Sequence, residues 1–559
     1  MMEWTGHGTS KGVAIGPVHV HGGERGPVTR KAVDDVAAEL TRLAAARAEA
    51  GAQLSRLYDR ALARVGEQGA QIFDIHQMML SDEDFCQAMD NMVRDQRVNA
   101  EYAADRAGES FARLFSEMDD AYMRARAADV KDIAGRLVDV LTGRDASAGD
   151  LDAPAILAAQ DLAPSETVQL DKDSILAFVT AEGSANSHTA ILARTMGIPA
   201  VVKVGEAALE ALKAAAPGTL AAVDGHTGKL YLDPDEKTLA LLREKQAEQA
   251  RRQKLLDTYR GLAAETVYGQ RVLTYANIGS TADLDAVLQN DAEGVGLFRT
   301  EFLYLESDHY PTEEEQFAIY RQVVETLGDR QVVFRTLDIG ADKQADYFGL
   351  PAEENPAMGM RAIRICLTRE QVFLTQLRAL LRASAHGKLA VMFPMITSLW
   401  EIRAVKALVE RAKGELREEG IPFDEDLETG IMIETPAAAV ISNQLAAEVD
   451  FFSIGTNDLT QYLLAVDRQN QTLDQFFDPH HPALLELIRV TAENAHRNEI
   501  WVGICGELAA DLSLTETFLA FGIDELSVAP ASVLPLREKV CGIAQDNSDQ
   551  ILAACRRGF

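Results

Sequence analysis

His188 stands in the run Gly183-Ser184-Ala185-Asn186-Ser187-His188-Thr189-Ala190-Ile191-Leu192-Ala193-Arg194. Small residues come first and suit a loop. Ile191, Leu192 and Met196 then recur at helical spacing. Ser187, or else Thr189, fits an N-cap, so His188 falls where a loop enters a helix. Helix starts offer unpaired N–H groups and the positive end of the dipole, which receive phosphate well. An imidazole there can carry a phosphoryl group on a ring nitrogen. It can equally cap or pack, and one histidine at a helix start does not decide between these.

A second set of chemistry-bearing residues closes short, β-branched apolar runs in the C-terminal half. Arg299 follows Gly294–Phe298, and Arg335 lies in Val332–Leu337. Glu434 ends Gly430–Glu434. Asn457 and Asp458 follow Phe451–Ile454, with Arg468 ten residues after Asp458. Cys505 ends Trp501–Cys505 and precedes Gly506-Glu507. Arginines grip phosphate and carboxylate through paired, charge-assisted hydrogen bonds. Glu434 and Asp458 are hard oxygen ligands of the kind Mg²⁺ takes. Cys505 is a thiol able to give a proton or to attack. Taken singly, each could be a salt-bridge partner or a packed side chain. Together they suit a substrate with a phosphate, a carboxylate, a metal-chelating oxygen and a carbon that gains a proton. Phosphoenolpyruvate has all four. Loss of its phosphoryl group leaves enolpyruvate, which Cys505 could protonate.

The elements that must position these residues are legible as changes of pattern. Eight apolar runs alternate with helical stretches after residue 270: Val272–Ile278, Gly294–Phe298, Val332–Leu337, Lys388–Phe393, Gly430–Glu434, Phe451–Ile454, Trp501–Cys505 and Glu525–Val528. Eight β/α units predict a (β/α)8 TIM barrel, with chemistry at the carboxyl ends of its strands. Upstream, buried-strand runs at 155–159, 175–179, 199–202, 220–225 and 229–232 flank the His188 loop and predict an α/β swivel-like domain. A short strand over 8–20 is expected to join it. Between them, residues 30–145 nearly lack Gly and Pro, and their apolar residues recur at three and four. This predicts an inserted bundle of about four helices. Ser81 is expected to cap one of these helices, with Asp82, Glu83 and Asp84 following. Residues 235–262 read as a long helix, polar all round, bridging domains. The expected division is 1–24 and 146–233 for the phosphohistidine α/β domain, 25–145 for the helical subdomain, 234–264 for the linker helix and 265–559 for the barrel.

At 559 residues the chain exceeds one core. Its formal net charge of −32, from 54 basic and 86 acidic residues, argues against nucleic acid and anionic membrane as partners. The 5 cysteines are scattered without a CxxC pair, so neither a disulfide framework nor a zinc site is indicated. No signal peptide and no apolar run of membrane-spanning length is apparent. A reducing cytoplasm is the expected setting.

Long segments carry a family resemblance. They are Asp161–Thr167, Ser187–Arg194, Gly294–Leu303, Glu354–Arg364, Phe452–Tyr462 and Cys505–Glu507. Through them the chain resembles Enzyme I of the bacterial phosphoenolpyruvate:sugar phosphotransferase system, over nearly its whole length. The resemblance implies that phosphoenolpyruvate phosphorylates His188, which then passes the group to a histidine of the carrier HPr. It implies that Arg299, Arg335, Asn457, Asp458 and Arg468 form the substrate site, that Glu434 and Asp458 hold Mg²⁺, and that Cys505 is the acid/base. It further implies that the helical insertion docks HPr, which makes residues 81–84 part of the expected docking face, and that the barrels form a homodimer; in the mechanism expected here, Thr167 orients the His188 ring. One departure stands out. The family's histidine loop is usually Gly-Gly-x-Thr-Ser-His, whereas this chain has Ser184 and Asn186, and serine takes positive φ less freely than glycine. Related dikinases and synthases need a further ATP-binding domain, and no glycine-rich phosphate loop occurs before residue 150. A nitrogen-regulatory paralogue would carry an N-terminal sensory domain, and a non-catalytic relative would have lost some of the chemical positions.

Overall fold

Within the C-terminal half, alternate residues of each apolar run belong to two different cores. Phe298, Phe334, Phe393, Ile431, Ile433, Phe452, Ile454, Val502 and Ile504 pack outward in one large cluster. Leu297, Val333, Ala390, Met392, Met432 and Phe451 pack inward in another. A period of two with both faces buried is the mark of a parallel strand covered by helices. The computed structural model describes residues 1–21, 28–116, 121–143, 154–160, 162, 174–183, 189–190, 193, 197–216, 218–305, 307–340, 345–351 and 353–557. It divides into two units, Met1–Gln253 and Lys254–Phe559.

In the second unit, β9 (Leu273–Ile278), β10 (Val295–Arg299), β11 (Val332–Arg335), β12 (Leu389–Phe393), β13 (Glu428–Ile433), β14 (Phe451–Ile454), β15 (Trp501–Ile504) and β16 (Glu525–Val528) form a closed barrel. Neighbours pair in parallel, and β16 returns to β9 through Leu526↔Thr274 and Ser527↔Tyr275. All eight runs are strands of the expected TIM barrel, with ends shifted by a residue or two. Glu434 and Cys505 therefore lie just past their strands, in the loops that follow. At the amino end the barrel is plugged by Phe451 stacked on Trp501, with ring centroids 4.3 Å apart and planes 6° from parallel. Gly430 makes room for this plug, because a Cβ there would lie 2.5 Å from the Phe451 ring.

The first unit holds an eight-stranded sheet in the order β1-β8-β7-β3-β4-β5-β6-β2. Its strands are β1 (Met2–Thr5), β2 (His7–Ser10), β3 (Val13–Val20), β4 (Ala155–Ala159), β5 (Ile175–Thr180), β6 (Ala200–Val202), β7 (Leu220–Asp224) and β8 (Lys229–Leu232). The single strand expected over 8–20 is two strands, broken at Gly12, whose φ of +131° turns the chain. β3 does join the sheet, parallel to β4 and antiparallel to β7. Helix α5 (Glu206–Ala214) lays Leu209 and Leu212 on the sheet.

Between β3 and β4 run α1 (Val36–Leu80), α2 (Glu83–Gln96), α3 (Ala100–Ser116) and α4 (Ala121–Thr142). Their core includes Leu43, Leu54, Phe73, Met89 and Leu137. Gly108 lets α3 approach α4 closely, since a Cβ there would meet that of Ala134 at 2.3 Å. Ser81 does not cap the helix that follows it. Its hydroxyl donates back to the Gln77 and Met78 carbonyls at 2.8 and 3.0 Å and closes α1. Asp82 caps α2, accepting from the Phe85 N–H at 2.9 Å. The polar helix expected over 235–262 is α6 (Glu236–Asp257), and the division between the two units falls within it.

Candidate active site

Strands β10, β11, β13, β14 and β15 deliver their ends, or the segments that follow them, to one mouth. Arg299, Arg335, Glu434, Asn457, Asp458, Arg468 and Cys505 all line a single cavity of about 420 Å³ there. Three further charged residues line it as well: Glu301, Asp338 and Arg361.

The guanidiniums differ in how they are held. Arg335 is buried and pairs with Glu301 and with Asp338, the latter at 3.0 Å. Burial alone would lower its pKa, but Glu301 and Asp338 outweigh burial and raise it. Arg361 is also buried. Its Nη2 lies 2.9 Å from Asp338 and 3.4 Å from Asp458, and its Nη1 donates to the Tyr462 hydroxyl at 3.0 Å. Arg468, half-buried at the rim, sits 3.7 Å from Asp458. Arg299 has no hydrogen bond or ion pair with any described residue. Surrounding protein and the nearby Arg335 charge lower its pKa, a strain that an incoming anion would relieve.

The carboxylates face the same centre. Burial first, then Asp458 and Asp338, push Glu434 well above the usual carboxylate range. The Met395 N–H donates to Glu434 Oε1 at 2.6 Å, and Met395 holds a φ of +59° to do so. Asp458 Oδ1 is buried with no hydrogen-bond partner. Two adjoining carboxylates, one with an orphaned oxygen, fit a divalent cation, and Mg²⁺ ordinarily takes only one or two carboxylates from protein. Among the described residues there is no larger His, Cys, Asp or Glu cage for a metal.

Cys505 is 2 % exposed, and burial pushes its thiol up to about 12, so it carries its proton at neutral pH. Asn457 Oδ1 accepts from the Glu507 N–H at 3.1 Å, which leaves its amide NH₂ as the free end. Arg361 and Glu301 did carry a sequence signal, since both fall in segments that resemble the family, whereas Asp338 falls in none of them. None of the three ends a strand, however, and no spacing rule singles them out.

His188 lies outside the described residues, as do Ser187, Thr167 and Arg194. Thr189 and Ala190, next along the chain, are helical and fully buried. On the helical bundle a groove of about 440 Å³ has Phe85, Phe111, Leu114 and Phe115 in its walls, with Met78, Asp82 and Asp84 at its edge. Among the described residues no helix is long and apolar enough to cross a membrane.

Comparison with known proteins places each region. The model of the PEP-binding domain of PEP-utilising enzymes matches residues 253–545, that of their N-terminal domain 5–126, and that of their mobile domain 151–228. The phosphoenolpyruvate-protein phosphotransferase of Haemophilus influenzae is 43% identical over 534 residues, covering 95% of this chain and 92% of that protein. The one from Geobacillus stearothermophilus is 41% identical over 556 residues, covering 98% and 95%. Among solved structures, an Enzyme I solution structure is 30% identical, with a TM-score of 0.38, and covers 44% of this chain and 99% of its own.

Proposed function

We propose a mechanism from a premise that these relatives establish: the chain belongs to the phosphoenolpyruvate-protein phosphotransferase family and is an enzyme of that class. Phosphoenolpyruvate binds in the barrel mouth. Arg299, unpaired, takes the phosphate together with Arg335, while Arg468 and the Asn457 amide complete the grip. Arg335 and Arg361 are fixed by Glu301 and Asp338, so little ordering is required when substrate arrives. Glu434 and Asp458 would hold Mg²⁺, which when bound neutralises charge on the transferring phosphoryl group.

An unprotonated ring nitrogen of His188 attacks phosphorus in line. This is compatible with neutral pH, given a histidine reference value of about 6.5. The departing enolate is protonated at carbon by the Cys505 S–H, and pyruvate leaves. Phosphohistidine then surrenders its group to a histidine of HPr. We assign HPr docking to the bundle groove, whose apolar walls and acidic edge suit a partner with an apolar patch ringed by basic residues. The barrels pair as a homodimer. One imidazole that serves two partners in turn calls for a mobile carrier domain.

The observation that carries this reading is the convergence of Arg299, Arg335, Arg468, Glu434, Asp458 and Cys505 on one cavity. The test is intact mass after incubation with phosphoenolpyruvate and Mg²⁺, with and without HPr. The expected result is a gain of one phosphoryl group that HPr discharges, and no gain in His188→Ala. A phosphorylated His188→Ala protein would overturn the nucleophile assignment.

A further inference from the structure

Below Cys505 the barrel interior is polar where apolar packing is the norm. Glu525 is 1 % exposed, and neither carboxylate oxygen makes a well-aligned hydrogen bond. Its seat is built by glycine. A Cβ at Gly503 would lie 1.8 Å from Oε2, and one at Gly296 would lie 2.1 Å from Oε1. Ser453, Gly503 and Glu525 are register partners across β14, β15 and β16. With no side chain on Gly503, Ser453 and Glu525 face each other across it. Cys505 stands two residues beyond Gly503 on the same face, and the Ser453 hydroxyl lies beside its thiol. Ser453 Oγ, Ser527 Oγ and Asn277 Oδ1 are likewise buried without a well-aligned hydrogen bond, with Ser453 beside the Cys505 thiol and Ser527 beside the Glu525 carboxylate. Asn277 spends its amide N–H groups on the carbonyls of Cys505 and Ser527, at 2.8 and 3.0 Å. Orphaned polar atoms gathered in one place mark a site for ordered water.

We propose that Glu525 is the proton reservoir that recharges Cys505, through Ser453 and buried water, after each protonation of the enolate. The inference rests on the assignment of Cys505 as the proton donor. In the forward step the enolate electron pair forms the new C–H bond as the Cys505 S–H bond breaks. The thiolate takes the Ser453 proton, Ser453 takes the Glu525 carboxyl proton by way of water, and solvent reprotonates Glu525. Burial pushes Glu525 up to about 8, so it holds a proton to give at neutral pH. The groups that face it are Ser453 from β14, Cys505 from β15, Tyr275 from β9, the Gly296 backbone from β10 and Ser527 from its own strand, while neighbouring Asp524 adds negative charge.

The test measures deuterium uptake into the methyl group of pyruvate by NMR, using the full chain with Mg²⁺ in D₂O. The rate of phosphoryl labelling by phosphoenolpyruvate is measured in parallel. Glu525→Gln and Ser453→Ala are expected to lower exchange about tenfold relative to labelling. The wild-type exchange profile is expected to inflect near pH 8, and Glu525→Gln to lose that inflection. Exchange at the wild-type rate in both variants would overturn the proposal. So would exchange and labelling falling in proportion, since a packing defect does that. Cys505→Ala is the control for the premise. If it exchanges like wild type, the thiol assignment itself fails, whatever Glu525 does.

Discussion

The barrel mouth and the bundle groove are cavities of nearly equal size, about 420 and 440 Å³, built on opposite principles. The mouth fixes its charges in advance. Arg335 and Arg361 are buried, each against carboxylates that also hold it in place. Such pairs are expensive to desolvate, and they fix geometry more than they stabilise. The groove has aromatic and aliphatic walls, with Asp82 and Asp84 at the edge. It suits a protein surface, where affinity comes from a few apolar anchors and charge steers the encounter. A small trianion calls for a rigid cage, whereas a folded partner calls for a forgiving patch.

Several substitutions would break or sharpen that contrast. The largest effect is expected at Arg335. Arg335→Met should lower phosphoryl labelling by phosphoenolpyruvate on the order of 10²–10³-fold. It should also cost roughly 3 kcal/mol in denaturant melts, because Glu301 and Asp338 lose their buried partner. Groove affinity for HPr, read by calorimetry, should not move. Cys505→Ala should slow pyruvate formation about 10²-fold and leave phosphoenolpyruvate affinity intact, as rapid-quench kinetics would show. The thiol's pH response follows from its environment. Burial disfavours the thiolate, so the proton stays on Cys505 until pH approaches about 12. Alkylation monitored by peptide mapping should therefore lag at Cys505, relative to an ordinary thiol, across the range of about pH 7–10.

Effects at the groove should be milder. Leu114→Ala should weaken transfer to HPr about tenfold, the ordinary scale of one interface anchor, with labelling by phosphoenolpyruvate changed far less. The smallest effect separates the two cavities by salt. Raising ionic strength from about 0.05 to 0.5 M should slow HPr association severalfold through screening of Asp82 and Asp84, while buried pairs at the mouth are screened less. Equal salt sensitivity of both half-reactions would erase the distinction.

The barrel was legible because β-branched runs buried on both faces look alike eight times over. Its reactive ends were legible because Arg299, Arg335, Glu434, Asp458 and Cys505 lie at or shortly after the ends of those runs. Arg361 was legible only as part of a segment that resembles the family, since it ends no strand and reaches Asp458 only through the tertiary fold. β1 escaped notice because a four-residue strand with mostly exposed side chains carries no apolar pattern, and β2 was read as one strand with β3 because no apolar break separates them. The shift of the α2 cap from Ser81 to Asp82 turned on a choice between adjacent residues that can both cap, which only backbone geometry resolves. Glu525 read as an ordinary residue at the start of a strand. Whether it points in or out depends on register, which one sequence does not encode locally.

The plug at the sealed end of the cylinder has a historical consequence. Phe451 and Trp501 lie flat against each other, and only a hydrogen at position 430 leaves them space. A single extra methyl at 430 would have to push a rigid ring that has nowhere to go. Just past the far end of the same strand lies Glu434, which that shift would disturb. Position 430 is therefore held to glycine, while substitutions are accommodated more readily in the loops at the open rim.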